Sequence, residues 1–249
     1  MSEPVTIIGS YISPYVRKVL VCLAVKRVFY RIDPIVPFFG NDEFTRLSPV
    51  RRIPVLVDGQ VTLPDSTVIC EYLEERYPQT PMFPETLADR ARARWLEEYA
   101  DTRMGEVFIW RLFNQVAINR HVWGEGPDQE ILRKTFDEDI PEVLDYLESQ
   151  VPGDGYLFGH LCVADVAIAS FFRNAAFARY AIDAARWPKT AAFVARVLAH
   201  PAFLELKPFE ELSVRTPMPR HRDALEAAGA PLTETTLAMD MPRRGMLSI

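Results

Sequence analysis

Apolar positions in the first eighty residues switch between a period of two and a period of three to four. Val5-Thr6-Ile7-Ile8-Gly9 is a short β-type run. After it, Val16, Val19, Leu20, Leu23 and Ala24 share one face of a helix. Pro14 suits the first position of that helix, where a missing N–H has no helical partner to lose, and Ser13 falls at its N-cap. Phe29 to Asp33 alternates as a second strand. Strand, helix, strand implies a parallel pair with a right-handed crossover. Asn41 to Leu47 reads as a short helix stopped by Ser48-Pro49. Val55 to Leu63 reads as a hairpin turning at Asp58-Gly59. Pro54 heads its first strand, an edge-type position and one compatible with a cis bond. Asp65 or Ser66 then caps a helix whose apolar face is Val68, Ile69, Tyr72 and Leu73. The order is β-α-β-α-β-β-α.

Beyond a proline-dense stretch, Tyr77 to Pro84, every pattern is helical. Ala88 to about His121 is one long stretch with a bend expected near Gly105. A second helix opens at Pro127, and Pro141 predicts a kink or break in it. Val163 to Ala178 is apolar nearly all round, as a central buried helix is. Trp187 to Ala199 and Phe203 to Leu212 are two more. Prolines and scattered arginines set the segment from Ser213 apart, with a short helix expected over Arg220 to Ala228.

Composition narrows the classes. The chain has 249 residues, 49% of them hydrophobic, and a net charge of −6. That is ample for a core, and no long basic run invites nucleic acid. No apolar stretch is long enough to span a bilayer, and no secretory signal is read at the start. Cys22, Cys70 and Cys162 form no C-x-x-C pair, and the four histidines show no ligand spacing. No metal, no membrane and no nucleic acid are therefore expected, and a cytoplasmic location.

Three blocks in order carry a resemblance: Ser13-Pro14-Tyr15-Val16-Arg17-Lys18-Val19, Ser48-Pro49-Val50-Arg51-Arg52-Ile53-Pro54-Val55-Leu56, and Asp65-Ser66-Thr67-Val68-Ile69-Cys70-Glu71-Tyr72-Leu73. With them the chain resembles the cytosolic glutathione transferase superfamily, of a serine type, through to about residue 210. The resemblance implies a thioredoxin-like α/β N-terminal domain over 1–80, an all-helical domain over 81–212, and a tail over 213–249. It implies a homodimer that uses glutathione as co-substrate.

The same resemblance assigns the residues. Ser13 would donate a hydrogen bond to the glutathione sulfur, with Ser10 and Tyr11 as the neighbouring alternatives. Ile53, before Pro54, would offer its backbone to the cysteinyl part. Asp65 and Ser66 would hold the γ-glutamyl end, and Arg52 the glycine carboxylate or the entrance. Arg51 departs from the family, which often has glycine at that position. The helical domain would cover the site and supply a pocket for a small, apolar electrophile. Tyr11, Phe38, Met104, Phe108 and Arg111 are its candidate lining, Arg111 favouring an anionic group. Gly159 to Asp165 resembles the family's helix-capping motif, with Asp165 structural. Two other readings share this pattern. One is glutathione-dependent peroxide reduction, isomerisation or dehalogenation; the other is a non-enzymatic interaction protein.

Overall fold

A computed structural model describes residues 4–244. The chain separates into two compact units: residues up to Thr80 with the chain from Glu205 onward, and Pro81–Leu204.

The first unit is built on a four-stranded sheet in the order β2-β1-β3-β4. β1 (Val5–Ile8) pairs in parallel with β2 (Tyr30–Asp33) and antiparallel with β3 (Val55–Asp58). β3 turns through Gly59 into β4 (Val61–Leu63). Helix α1 (Pro14–Val25) makes the crossover from β1 to β2, and α2 (Asp42–Leu47) precedes β3. Helix α3 (Ser66–Arg76) lies against α1, with the Cys70 and Cys22 sulfurs 3.6 Å apart. The element order is the one that the alternating periods predict, and the arrangement is thioredoxin-like. Lys26, at the C-cap of α1, donates to Glu74 Oε2 and to the carbonyls of Tyr77 and Thr80. All of an ammonium's donors are thereby satisfied where water is excluded.

The second unit is helical. α4 (Leu87–Tyr99) continues into a stretch of wider, i→i+5 turns over Ala100–Trp123, with no break at Gly105. α5 (Gln129–Lys134) runs through a widened turn at Thr135–Asp139 into α6 (Ile140–Gln150). That widening explains why Pro141 does not end the helix. The wider turn re-pairs the ladder where proline removes a donor, and Ile140 N–H accordingly reaches back to the Thr135 carbonyl. α7 (Val163–Phe177) is the centre of the unit, buried on almost every side, and α8 (Pro188–Leu198) packs on it. Asp165 holds the entry to α7, accepting from Leu157 N–H at 2.9 Å and Cys162 N–H at 2.8 Å.

α9 (Pro201–Arg215) runs through position 212, where the sequence pattern ended the helical domain. The chain beyond Arg215 does not stand apart as a tail. α10 (His221–Ala227) and the segment after it cluster with the first unit. Ile32 N–H donates to the Pro231 carbonyl, and Thr233 N–H to that of Ile32, so the segment covers the free edge of β2. It goes on along the β2–α2 connection, where Met239 N–H meets Phe39 O and Arg243 N–H meets Phe38 O. The physical reason is the unpaired backbone of an edge strand, which the backbone of an extended segment can satisfy.

Candidate functional site

The first group of candidate residues follows the C-terminal end of β1. Ser10 to Ser13 forms a tight turn closed by Ser13 N–H to Ser10 O at 3.0 Å. Ser13 then caps α1 with extended backbone, Pro14 comes next, and the Ser13 Oγ accepts from Val16 N–H at 3.4 Å. That cap bond is long, which leaves the hydroxyl free to turn elsewhere. The three neighbouring hydroxyls are not equivalent. Ser10 is buried, and its Oγ accepts the Ile12 N–H at 3.3 Å. Tyr11 is 1% exposed and stacks on Phe209 at 5.1 Å. Burial, with Tyr30 close by, pushes its phenol far above the ordinary value, and its hydroxyl makes no hydrogen bond of good geometry. Ser13 alone of the three reaches the surface.

Backbone packing brings Ile53 to the same place. Gly9, at φ 155°, has no room for a side chain, because a Cβ there would lie 2.5 Å from Val16 Cγ2 and 3.4 Å from Ile53 Cβ. The end of β1, the first turn of α1 and the entry to β3 thus meet around a glycine. The Ile53–Pro54 bond is cis. The loop before it is closed by Ser48, whose Oγ both accepts from Arg52 N–H and donates to Arg52 O at 2.9 Å. Arg51 takes φ 51°, a left-handed conformation that favours glycine. Its guanidinium compensates by donating to Gly40 O at 2.8 Å, Pro37 O at 3.4 Å and the Thr45 hydroxyl. Arg52 is exposed beside it.

The N-terminus of α3 completes the group. Asp65 is its N-cap, accepting from Thr67 N–H at 2.9 Å and Val68 N–H at 3.0 Å. Ser66 is the first helical residue and is buried. Buried Lys18 on α1 donates to Thr67 Oγ1 at 3.2 Å and ties the two helix starts together. Ser13, Ile53, Asp65 and Ser66 are therefore placed in one unit around two helix N-termini, where partial positive charge favours an anion.

The remaining candidates stand on other elements, Phe38 in the first unit and Met104, Phe108 and Arg111 in the helical one. Phe38 is buried in a short 3₁₀ turn, Pro37–Phe39, and its carbonyl accepts from Arg243 N–H. Met104 and Phe108 are fully buried in the helical unit, Phe108 against Phe172 at 5.0 Å. Arg111 is engaged by carboxylates: it donates to Asp139 Oδ2 at 2.9 Å and Glu106 Oε1 at 2.5 Å. Among the described residues no group of His, Cys, Asp or Glu is placed to hold a metal ion, and no helix is long and apolar enough to cross a membrane.

Comparison with known proteins identifies the family. Residues 7–81 match the model of the glutathione S-transferase N-terminal domain, and residues 118–205 that of its C-terminal domain. The maleylacetoacetate isomerase of Pseudomonas aeruginosa is 30% identical over 199 residues, covering 77% of this chain and 90% of that protein. The chain belongs to the cytosolic glutathione transferase superfamily. A glutathione S-transferase of Triticum aestivum is 27% identical, with 81% of this chain and 89% of that one covered. The crystal structure of a Rhodospirillum rubrum glutathione S-transferase superposes with a TM-score of 0.77 at 26% identity, over 88% of this chain and 99% of that one. The superfamily membership and the α/β-plus-helical fold are thereby shown.

Two features beside these residues needed the structure. One is Arg17, in the first turn of α1, which is buried and donates to Glu210, 193 residues away. Arg51 is visible as a departure from glycine, and the left-handed backbone it must adopt is the signal that such a departure carries.

Proposed function

We propose that the protein is a glutathione S-transferase that binds reduced glutathione in the first unit and joins its sulfur to a small, apolar electrophile. The observation that carries this reading is the contrast among the three hydroxyls, of which only Ser13 is accessible at the helix start. Ile53 offers backbone groups to the cysteinyl part, and Asp65 and Ser66 hold the γ-glutamyl end. Arg52 lies at the entrance. Ser13 Oγ–H donates to the sulfur and is not itself a nucleophile. A free thiol titrates near about 8.5. A hydrogen bond to a charged group stabilises it by roughly 1.5–3 kcal/mol, which is about one to two pH units. Thiolate then becomes a major form near neutrality. It attacks the electrophilic carbon, the C–S bond forms, and the leaving group departs with its electron pair.

A second reading is glutathione-dependent isomerisation, favoured by the 30% identity to the P. aeruginosa maleylacetoacetate isomerase. There the thiolate adds to a double bond, the resulting single bond rotates, and elimination returns glutathione. We place the protein in the cytoplasm as a homodimer by analogy with its family.

The test is the ultraviolet thiolate absorbance of protein-bound glutathione against pH, for wild type and Ser13→Ala. The expected result is a wild-type midpoint about one to two units below that of free glutathione, lost in the variant. A wild-type midpoint equal to that of free glutathione sinks the reading. Stoichiometric consumption of glutathione then separates conjugation from isomerisation, which consumes none.

A further inference from the structure

The segment after α10 does more than cover the edge of β2. Its middle reaches the core that Ile53 packs on. Ile8, Ile35, Phe44 and Val55 form a buried apolar group. Four partly buried side chains pack against that group: Leu47 from α2, Ile53, Val57 from β3, and Leu237 from the C-terminal segment. Backbone bonds hold Leu237 there. Its N–H donates to Asp33 Oδ2 at 2.7 Å, and its carbonyl accepts from Asn41 N–H at 2.9 Å. Ala238 then bridges Gly40 in antiparallel register, and Met239 N–H donates to Phe39 O at 2.8 Å. The segment thus pairs like a strand with residues 39–41. The loop before Ile53 is tied to the same three residues, because Arg51 Nη2 donates to Gly40 O at 2.8 Å. Gly40 in turn lies so close to Phe44 that a Cβ there would overlap the ring.

We propose that residues 231–243 are a strap that positions the Ile53 side of the glutathione site, with Leu237 as its anchor. This rests on the assignment of the Ile53 backbone to glutathione. A residue that binds through its backbone is placed by what its side chain packs on and by the loop that leads to it. The strap touches both. Leu237 fills part of the core that seats the Ile53 side chain. Residues 237–239 hold the stretch to which Arg51, two positions before Ile53, is bonded. Protein interiors are close-packed, so a gap left at Leu237 is felt by the other side chains on the same group. Leu237 is a positioning residue, since it acts through Ile53 and not on glutathione itself.

The experiment uses the full-length chain as wild type, Leu237→Ala, Leu237→Met and Asp165→Ala, each kept below its melting transition. Titration calorimetry gives the Kd of reduced glutathione, and ultraviolet absorbance the thiolate midpoint of the bound form. Leu237→Ala opens a space in the shared core and is expected to weaken binding about three- to tenfold, as for residues coupled through one cavity. Its thiolate midpoint stays at the wild-type value, because Ser13 stands on the turn into α1. Leu237→Met conserves the volume and restores the wild-type Kd. Asp165→Ala, which weakens the other unit, leaves both readings unchanged. If Leu237→Ala does not fold, Leu237→Val, a smaller cut, decides by the same criteria. A wild-type Kd in the cut variant overturns the proposal, even with a lowered melting temperature, since a strap that only covers the edge would do that. A Kd that follows the melting temperature, Asp165→Ala included, overturns it too, because binding then reports general stability. A wild type that binds no glutathione overturns the glutathione reading, and the strap's role with it.

Discussion

Arg51 shows what one residue can do against its own backbone preference. A non-glycine residue at φ 51° is strained by about 1 kcal/mol or more. Its hydrogen bonds to the Pro37 and Gly40 carbonyls and the Thr45 hydroxyl offset that cost and pin the loop before Ile53. Burial and nearby Arg243 also bring the guanidinium below its ordinary pKa, a cost that the same carbonyls counter. Arg51→Ala keeps the strain and loses the bonds, whereas Arg51→Gly loses both. Denaturant titration is expected to show Arg51→Ala less stable than Arg51→Gly by about 1 kcal/mol. Equal stabilities would mean that the backbone relaxes and the strain is not there. Ser13→Ala belongs to the same scale: a long cap bond is lost, so denaturant titration is expected to show a stability loss of at most about 1 kcal/mol, while the role proposed for Ser13 predicts a roughly tenfold or greater fall in glutathione conjugation near pH 7.

Helix ends decide the behaviour of whole elements. At α7 the residue at the N-cap is Cys162, a poor acceptor, and Asp165 supplies the capping through its carboxylate. Burial, with that carboxylate beside it, pushes the Cys162 thiol well up, so it stays a neutral thiol. Asp165→Ala would strand two backbone N–H groups, at Leu157 and Cys162. Calorimetry is expected to show a loss of about 2–4 kcal/mol, with activity per folded molecule unchanged. At α10, buried His221 lies 2.7 Å from the Thr216 carbonyl through Nε2. Burial holds its pKa below the ordinary 6.5. The unfolded chain therefore takes up the proton first, and the histidine's contribution is full above 6.5 and shrinks as pH falls below it. The stability gap between wild type and His221→Gln should narrow from about pH 7 to about pH 5. A gap independent of pH would show that the ring does not titrate there.

On the scale of the molecule, the N-terminal unit is completed by chain from beyond the helical one. The segment after α10 closes the β2 edge and reaches the connection to α2. There Leu237 N–H and Arg222 both meet the buried carboxylate of Asp33, at 2.7 Å and 3.4 Å. Without that cover β2 would present its backbone to solvent and to other chains. A protein ending at Ala230 should show Ile32 N–H exchanging at least about tenfold faster, with a lower melting temperature and a tendency to associate. Unchanged exchange at Ile32 would mean that the edge is protected by something else.

Local chemistry was enough for the elements, and the order of three motifs gave the family resemblance that named the candidate site. Periods of two and three to four, Ser13-Pro14, Ile53-Pro54 and Asp65-Ser66 each announce a strand, a cap or a turn from neighbouring residues alone, because those propensities act over a few positions. The helical second half was legible for the same reason. The tertiary structure decided whatever depends on residues far apart. It separated Ser13 from Ser10 and Tyr11 by burying the other two. It kept the helix going through Pro141 by widening the turn before it. It set Arg111 between two carboxylates, joined Arg17 to Glu210 across 193 positions, and laid the C-terminal segment on β2. Ion pairing, burial and edge pairing are contacts between surfaces that only the folded chain brings together, so no local pattern encodes them.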